Sequence, residues 1–313
     1  MYIAEDEVRA SLSYEALIPA MRQALIDFSA GRVEQPPRMI LHADNADGPW
    51  NGWFALMPVI HGDAMGVKTV TFFPSNAALG LHTHMAVIEL LSRRTGEPLA
   101  LMDGRLITEM RTAAVSAVAL DALARPDVTS LGILGSGVQA RSHLKALRPV
   151  RPGLTDVRIW SRTRAHAERL AEEVGARAVT IEEAASADVV LTATASPDPV
   201  LRGKWLKKDA VVLAVGAVGA ELRELDDEAV RSSWVVAESR AAAEREAGDI
   251  VLSGAKVQAE IGEILARPGE FPIPRTGRIL FKSVGMAIED LVAARLVWEN
   301  RSSDQRPARV QSV

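Results

Sequence analysis

The run Leu131-Gly132-Ile133-Leu134-Gly135-Ser136-Gly137-Val138-Gln139-Ala140 constrains this 313-residue chain more than any other segment. It reads as a buried strand entering the pattern G-x-G-x-x-A and then a helix. Gly135 suits the tight turn, Gly137 lets backbone approach a pyrophosphate, and Ala140 is small enough for close packing of helix on strand. The amides and dipole of the first helical turn then face negative charge. The flanking chain agrees with this start. Apolar runs at Ser130–Leu134, Val157–Trp160, Val189–Thr192, Val211–Val215 and Trp234–Ala237 alternate with helical stretches such as Arg164–Val174. Alternating strands and helices imply crossover units and a parallel sheet. The expected fold class is α/β, with a Rossmann-type doubly wound parallel sheet that binds a dinucleotide.

The first hundred residues have a different texture. Ser13 is placed to cap a helix whose apolar positions Leu17, Met21, Ala24, Leu25 and Phe28 recur at three-to-four spacing, and Gly31 stops it. Short extended runs follow at Arg38–His42, Gly52–Met57, Gly66–Phe72, His84–Leu91 and Pro98–Met102. Asp44-Asn45-Ala46-Asp47-Gly48 and Thr95-Gly96-Glu97 read as turns. This predicts an α+β unit on a largely antiparallel sheet, closed by an Ala-rich helix from Ile107 to Leu123. A last helix over Met286–Glu299 falls outside the strand–helix alternation and is long enough to return to the first unit. The parallel-sheet domain, residues 117–285, is therefore expected as an insertion in a discontinuous domain made of residues 1–116 and 286–313. The polar tail Arg301–Val313 is expected to fray.

Composition removes whole classes of chemistry. Cysteine is absent, so disulfides, Cys-ligated zinc, iron–sulfur clusters and thiol nucleophiles are excluded together. Lys plus Arg number 36 against 40 for Asp plus Glu, a net charge of −4, and aromatics are 4%. Neither suits general nucleic-acid binding. The acidic start Met1-Tyr2-Ile3-Ala4-Glu5-Asp6-Glu7 is unlike a signal peptide, and no apolar run reaches membrane-spanning length. A cytoplasmic protein whose difficult chemistry comes from a bound cofactor is the expectation.

Two further patterns bear on chemistry. After the second parallel strand the chain reads Ser161-Arg162-Thr163-Arg164, where an NAD site usually carries an acid for the ribose 2′-hydroxyl. Arginines and hydroxyls suit a 2′-phosphate instead, so NADPH is expected over NADH. In the first unit and at its closing helix, the cations Arg38, Lys68 and Arg111 stand among apolar neighbours. Each is open to two readings, an ordinary ion pair or an anchor for a carboxylate substrate, and spacing gives no reason to group them. His82-Thr83-His84 alternates so that two imidazoles share a strand face, but no carboxylate stands at ligand spacing, and no metal site is expected.

The segment Met102–Ala117, with Asp103-Gly104-Arg105 and Arg111-Thr112-Ala113-Ala114, resembles the signature of the ornithine cyclodeaminase/mu-crystallin family. So do Leu134–Ala140, Arg158–Thr163, Ala214–Ala217, Arg223–Glu228, Gly248–Ala255 and Phe281–Met286. The resemblance implies a homodimer and an N-terminal substrate and dimerisation domain. It places Arg38 and Arg111 on the carboxylate of a small imino or amino acid and Lys68 beside the reacting carbon, as the catalytic residue. It lines the cofactor with Thr112, Gly135, Ser136, Gly137, Val138, Gln139, Thr192, Ala193, Thr194, Val215, Gly216 and Ser283, and places Ser161, Arg162 and Thr163 at the NADP end.

Departures from the family pattern direct the subclass. Cyclodeaminases carry a glutamate where this chain has Ala55, and a catalytic aspartate where it has Val218. Cyclising ornithine needs a base near the terminal amine. Without those acids, unless Glu221 substitutes, the pattern points to reduction of a ketimine such as pyrroline- or piperideine-2-carboxylate. An amino-acid cyclodeaminase or dehydrogenase using NAD, and a non-enzymatic NADPH and small-ligand binder, are the alternatives.

Overall fold

Strands and helices of the computed structural model are described for residues 1–43 and 52–301. The turn read at residues 44–48 and all of the tail beyond Arg301 lie outside them. The described residues form two compact units, with bounds Met1–Ala20, Val33–Thr108 and Ala287–Val313 for the first and Met21–Arg32 and Glu109–Met286 for the second. Relative to the division drawn from the sequence, residues 21–32 and 109–116 and Met286 fall in the second unit. The segment 21–32 is tied there because Gly262 has no side chain to hold it off Leu25, and Ser29 Oγ donates to Glu260 Oε2 at 2.8 Å.

The first unit is a six-stranded sheet. Its strands are β1 (Tyr2–Ile3), β2 (Met39–His42), β3 (Trp53–His61), β4 (Ala64–Phe72), β5 (His84–Ser92) and β6 (Pro98–Asp103). They run in the order β1-β6-β5-β4-β3-β2, antiparallel except for β1 against β6. The expected strand over Gly52–Met57 continues through Pro58 to His61. Ile60, two residues on, bonds Glu34 through both its N–H and its C=O, so that edge of β3 also receives the Pro58 nitrogen. Strand β2 pairs only as far as Leu56, so the missing N–H leaves no ladder bond broken.

Residues alternate across this sheet as the pleat requires. One face carries Ala55, Met57, Gly66, Lys68, Val70, Ala86, Ile88 and Met102, and the helix Ala287–Asn300 covers it. Gly66 permits the close approach: a side chain there would meet Leu291 Cδ1 at 3.2 Å and the Glu89 carbonyl. The opposite face carries Met39, Leu41, Met85, Val87 and Leu101, all exposed in the single chain.

The second unit is an eight-stranded, wholly parallel sheet, the Rossmann-type α/β arrangement expected from the alternation. Its strands are β7 (Ser130–Leu134), β8 (Asp156–Trp160), β9 (Arg177–Ala178), β10 (Val189–Thr192), β11 (Val211–Ala214), β12 (Ser233–Ala237), β13 (Ala259–Glu260) and β14 (Arg278–Lys282). The order β13-β12-β14-β11-β10-β7-β8-β9 reverses direction between β7 and β10. In open α/β sheets the crevice beyond the carboxyl ends at such a switch point is where ligands bind. Strand β14 was not expected. It inserts between β11 and β12, and its closing residue, Lys282, is completely buried.

Candidate functional site

In the second unit, β7 delivers Leu134 into Gly135, whose φ of +128° is open to glycine. A side chain there would stand 2.5 Å from the Ala193 carbonyl oxygen, so glycine allows β7 and β10 to leave the sheet side by side. Gly137 then caps the helix Val138–Val150, with Ala140 completely buried beneath it. A Cβ on Gly137 would enter open space, with no atom within 4 Å. Beside it the buried Gln139 Oε1 has no hydrogen-bond partner among the described residues. A helix N-terminus opened by an exposed glycine and unfilled space in front of it are what a bound pyrophosphate requires, so these residues fit a dinucleotide.

At the end of β8, Ser161 Oγ receives a hydrogen bond from Ser136 Oγ at 2.9 Å, tying the two loops. Arg162, Thr163 and Arg164 are exposed. Arg164 is held by Glu168 at 2.7 Å, whereas Arg162 forms no ion pair among the described residues.

The loops after β10 and β11 are held by a residue the sequence did not single out for chemistry. Glu224 is completely buried. Its Oε1 accepts from the Thr194 amide at 2.7 Å and hydroxyl at 2.8 Å. Its Oε2 accepts from the Thr192 hydroxyl at 2.9 Å and from the amides of Gly216 and Ala217 at 2.7 and 3.3 Å. Burial pushes the Glu224 carboxyl above its usual range, against the opposing pull of the Lys282 cation. Lys282 lies 2.9 Å from Asp249 and donates to the Ala217 carbonyl, while Asp249 Oδ1 accepts the amides of Glu224 and Leu225. A second buried carboxylate, Glu238, accepts from the Ser283 hydroxyl and from the amides of Val284 and Gly285. The Thr192 and Ser283 hydroxyls thus point at these carboxylates, while Ala193, Thr194, Val215 and Gly216 remain partly accessible. Arg111 is buried with Thr112 beside it, and its guanidinium rests against Gly285.

In the first unit, Lys68 is 3% exposed and its Nζ lies 2.6 Å from Asp290 Oδ2 on the covering helix. Ala55 is buried on the same sheet face. Farther along that face Trp53, Phe72 and His84 form a ring cluster, with the Phe72 and His84 centroids 4.4 Å apart. His84 is exposed by its accessible surface, while its ring packs on Phe72 and Trp53. Loss of solvation, then the positive charge of Lys68, pushes it down to about 4. His82 precedes the strand rather than sharing its face with His84. No group of three or more metal-ligating side chains occurs among the described residues, and no helix among them is long and apolar enough to cross a membrane. Arg38 is half-buried just ahead of β2. The three cations expected at the substrate therefore divide, with Arg38 and Lys68 in the first unit and Arg111 in the second.

Residues 1–305 match the family described as the ornithine cyclodeaminase/mu-crystallin family. The ketimine reductase mu-crystallin of Mus musculus is 39% identical over 312 residues, covering 96% of this chain and 97% of that protein. The structure of Thermococcus litoralis Delta(1)-pyrroline-2-carboxylate reductase in complex with NADH and L-proline superposes with a TM-score of 0.89 at 33% identity, covering 96% and 97% of the two chains. An archaeal alanine dehydrogenase dimer with bound NAD does so with a TM-score of 0.89 at 29% identity, covering 96% and 95%.

Proposed function

This chain belongs to the ornithine cyclodeaminase/mu-crystallin family and is an oxidoreductase acting on carbon–nitrogen bonds, and we propose that it reduces a small α-imino acid with NADPH. The substrate class is a ketimine carboxylate of the pyrroline- or piperideine-2-carboxylate type. The carrying observation is the buried Lys68 cation on a sheet face where position 55 is alanine. A proton donor is held there, and the carboxylate that would deprotonate ornithine is missing.

Reduction of C=N adds a hydride at carbon and a proton at nitrogen, and a bound nicotinamide cofactor supplies the hydride. Arg38 and Arg111 hold the substrate carboxylate by charge-assisted hydrogen bonds. Lys68 Nζ faces the nitrogen, where an ammonium both favours the polarised C=N bond and gives up the proton. The Gly135–Gln139 turn holds the pyrophosphate, Thr112, Ala193, Thr194, Val215 and Gly216 line the nicotinamide end, and Thr192 and Ser283 fix the loops of that end through Glu224 and Glu238. Ser161, Arg162 and Thr163 receive the 2′-phosphate, and Arg162, which forms no ion pair among the described residues, supports NADPH over NADH. The exposed apolar face of the six-stranded sheet supports a homodimer, since Met39 and Leu41 are 58% and 55% exposed in the single chain.

An NADPH-oxidation assay over pyrroline-2-carboxylate, piperideine-2-carboxylate and acyclic imines, with ornithine plus NAD as contrast, tests this reading. Turnover of the cyclic imino acids is expected, with a loss of about a hundredfold or more in Lys68→Met. Ammonia release from ornithine without imine turnover would overturn it.

A further inference from the structure

We propose that Asp290 is a positioning residue for the reaction: it holds Lys68 as an ammonium in a setting that would otherwise drive the proton off. The inference rests on Lys68 being the proton donor, and adds what sets its protonation state. Lys68 is buried between Met57 of β3 and Ile88 of β5, neither of which offers a polar group. An isolated ammonium in such surroundings loses its proton, because burial penalises the charged form. Asp290 answers this directly, with Oδ2 at 2.6 Å and both side chains 2% exposed.

Asp290 is placed by its own helix. It lies in the first turn of the helix Ala287–Asn300, where the helix dipole favours a carboxylate. The start of that helix is fixed by the Ile288 amide, which donates to Gln35 Oε1 at 2.8 Å, and Gly66 lets its Leu291 settle close to β4. The remaining titratable groups of that face are few. Glu289, next on the helix, is also buried; His84 lies along β5 and is neutral at pH 7; His61 stands at the far end of β3. Asp290 stands in contact with the ammonium, at 2.6 Å.

A purely structural role accounts poorly for the pair. Replacing a buried ion pair by apolar side chains of similar volume is often neutral or stabilising, so packing alone does not call for two buried charges. A proton donor does call for them. When Lys68 gives its proton to the imine nitrogen, the C=N bond becomes C–N–H with hydride added at carbon. The neutral amine left beside the Asp290 carboxylate then takes a proton back from solvent, restoring the ammonium for the next turnover.

The test is the pH dependence of imine reduction in Asp290→Asn. Loss of the negative charge lowers the Lys68 pKa, so the alkaline limb of kcat is expected to move down by about one pH unit or more. Below the limb, KM for the imino acid should change less than about threefold. Asp290→Glu, which keeps the charge, is expected to hold the limb near its original place. A uniform fall in kcat with the limb unmoved would overturn the proposal. Lys68→Met separates the two claims: full turnover in that variant defeats Lys68 as donor, whereas lost turnover with an unmoved limb in Asp290→Asn defeats only Asp290. If Asp290→Asn folds poorly, urea unfolding reads the same pairing. The double variant Lys68→Met/Asp290→Asn should then be more stable than Asp290→Asn alone, and equal or lower stability counts against it.

Discussion

Thr194 gives both its backbone amide and its hydroxyl to one oxygen of Glu224, at 2.7 and 2.8 Å. The other oxygen takes the hydroxyl of Thr192 and the amides of Gly216 and Ala217. One carboxylate thereby binds the ends of two neighbouring parallel strands. In Glu224→Gln one of those oxygens becomes a donor, and at least one buried amide loses its acceptor. The expected cost is about 2–4 kcal/mol in unfolding free energy, with weaker cofactor binding because both loops loosen. Urea unfolding and quenching of protein fluorescence by NADPH measure the two effects; an unchanged midpoint would remove Glu224 as the tie.

Gly285 adopts φ +77° and its missing side chain makes room for Arg111, whose Nη1 lies 2.7 Å from where a Cβ would stand. Gly285→Ala strains the backbone by about 1 kcal/mol and displaces the guanidinium. With Arg111 as a carboxylate anchor, KM for the imino acid should rise about tenfold while kcat changes less. Steady-state kinetics on the variant decide, and an unaltered KM would take Arg111 out of substrate binding.

The features legible in the sequence were local ones. The five parallel strands read from apolar runs fall within a residue of their observed bounds, because strands buried on both faces are written as unbroken apolar stretches. The turn at Gly135 was legible because strand, glycines and helix are adjacent in the chain. Strand β14 was hidden by its own charges: Arg278 and Lys282 bracket three apolar residues, and the lysine is neutralised by Asp249 from a distant helix. Asp290 was invisible for the same reason. Nothing near it in sequence marks it, and its partner Lys68 lies on a strand early in the chain. Glu224 and Glu238 look like surface acids until the loops they bind are folded around them. Local pattern reports burial and turns; long-range pairing of buried charges belongs to tertiary structure.

His143 supplies a pH dependence of stability outside the reaction. It is completely buried, with Nδ1 donating to the Gln139 carbonyl at 2.8 Å and Nε2 accepting from the Ser116 hydroxyl at 2.9 Å, and burial pushes it down to about 4. The folded value lies below the unfolded one of about 6.5, so the unfolded chain binds the extra proton between them. Its contribution to stability is present above about pH 6.5 and is lost as pH falls toward 4, amounting to about 3 kcal/mol at most. Urea midpoints between pH 7 and 4.5 should therefore fall less steeply in His143→Gln than in the parent. Parallel curves would show that His143 does not carry the effect.

The proposed preference for NADPH turns on one exposed side chain. Arg164 is engaged by Glu168 at 2.7 Å, so Arg162, which forms no ion pair among the described residues, is the guanidinium proposed to meet a 2′-phosphate. A charge-assisted hydrogen bond of this kind contributes about 1.5–3 kcal/mol, equivalent to roughly ten- to a hundredfold in affinity. Arg162→Ala should raise the Kd for NADPH by that factor and leave NADH nearly unchanged, because NADH has no phosphate there to lose. The residual preference should fall further at high salt in the parent than in the variant, since screening acts on the phosphate contact alone. Fluorescence titration of both cofactors at two salt concentrations measures this, and an equal loss for NADH and NADPH would show that Arg162 supports the loop rather than the phosphate.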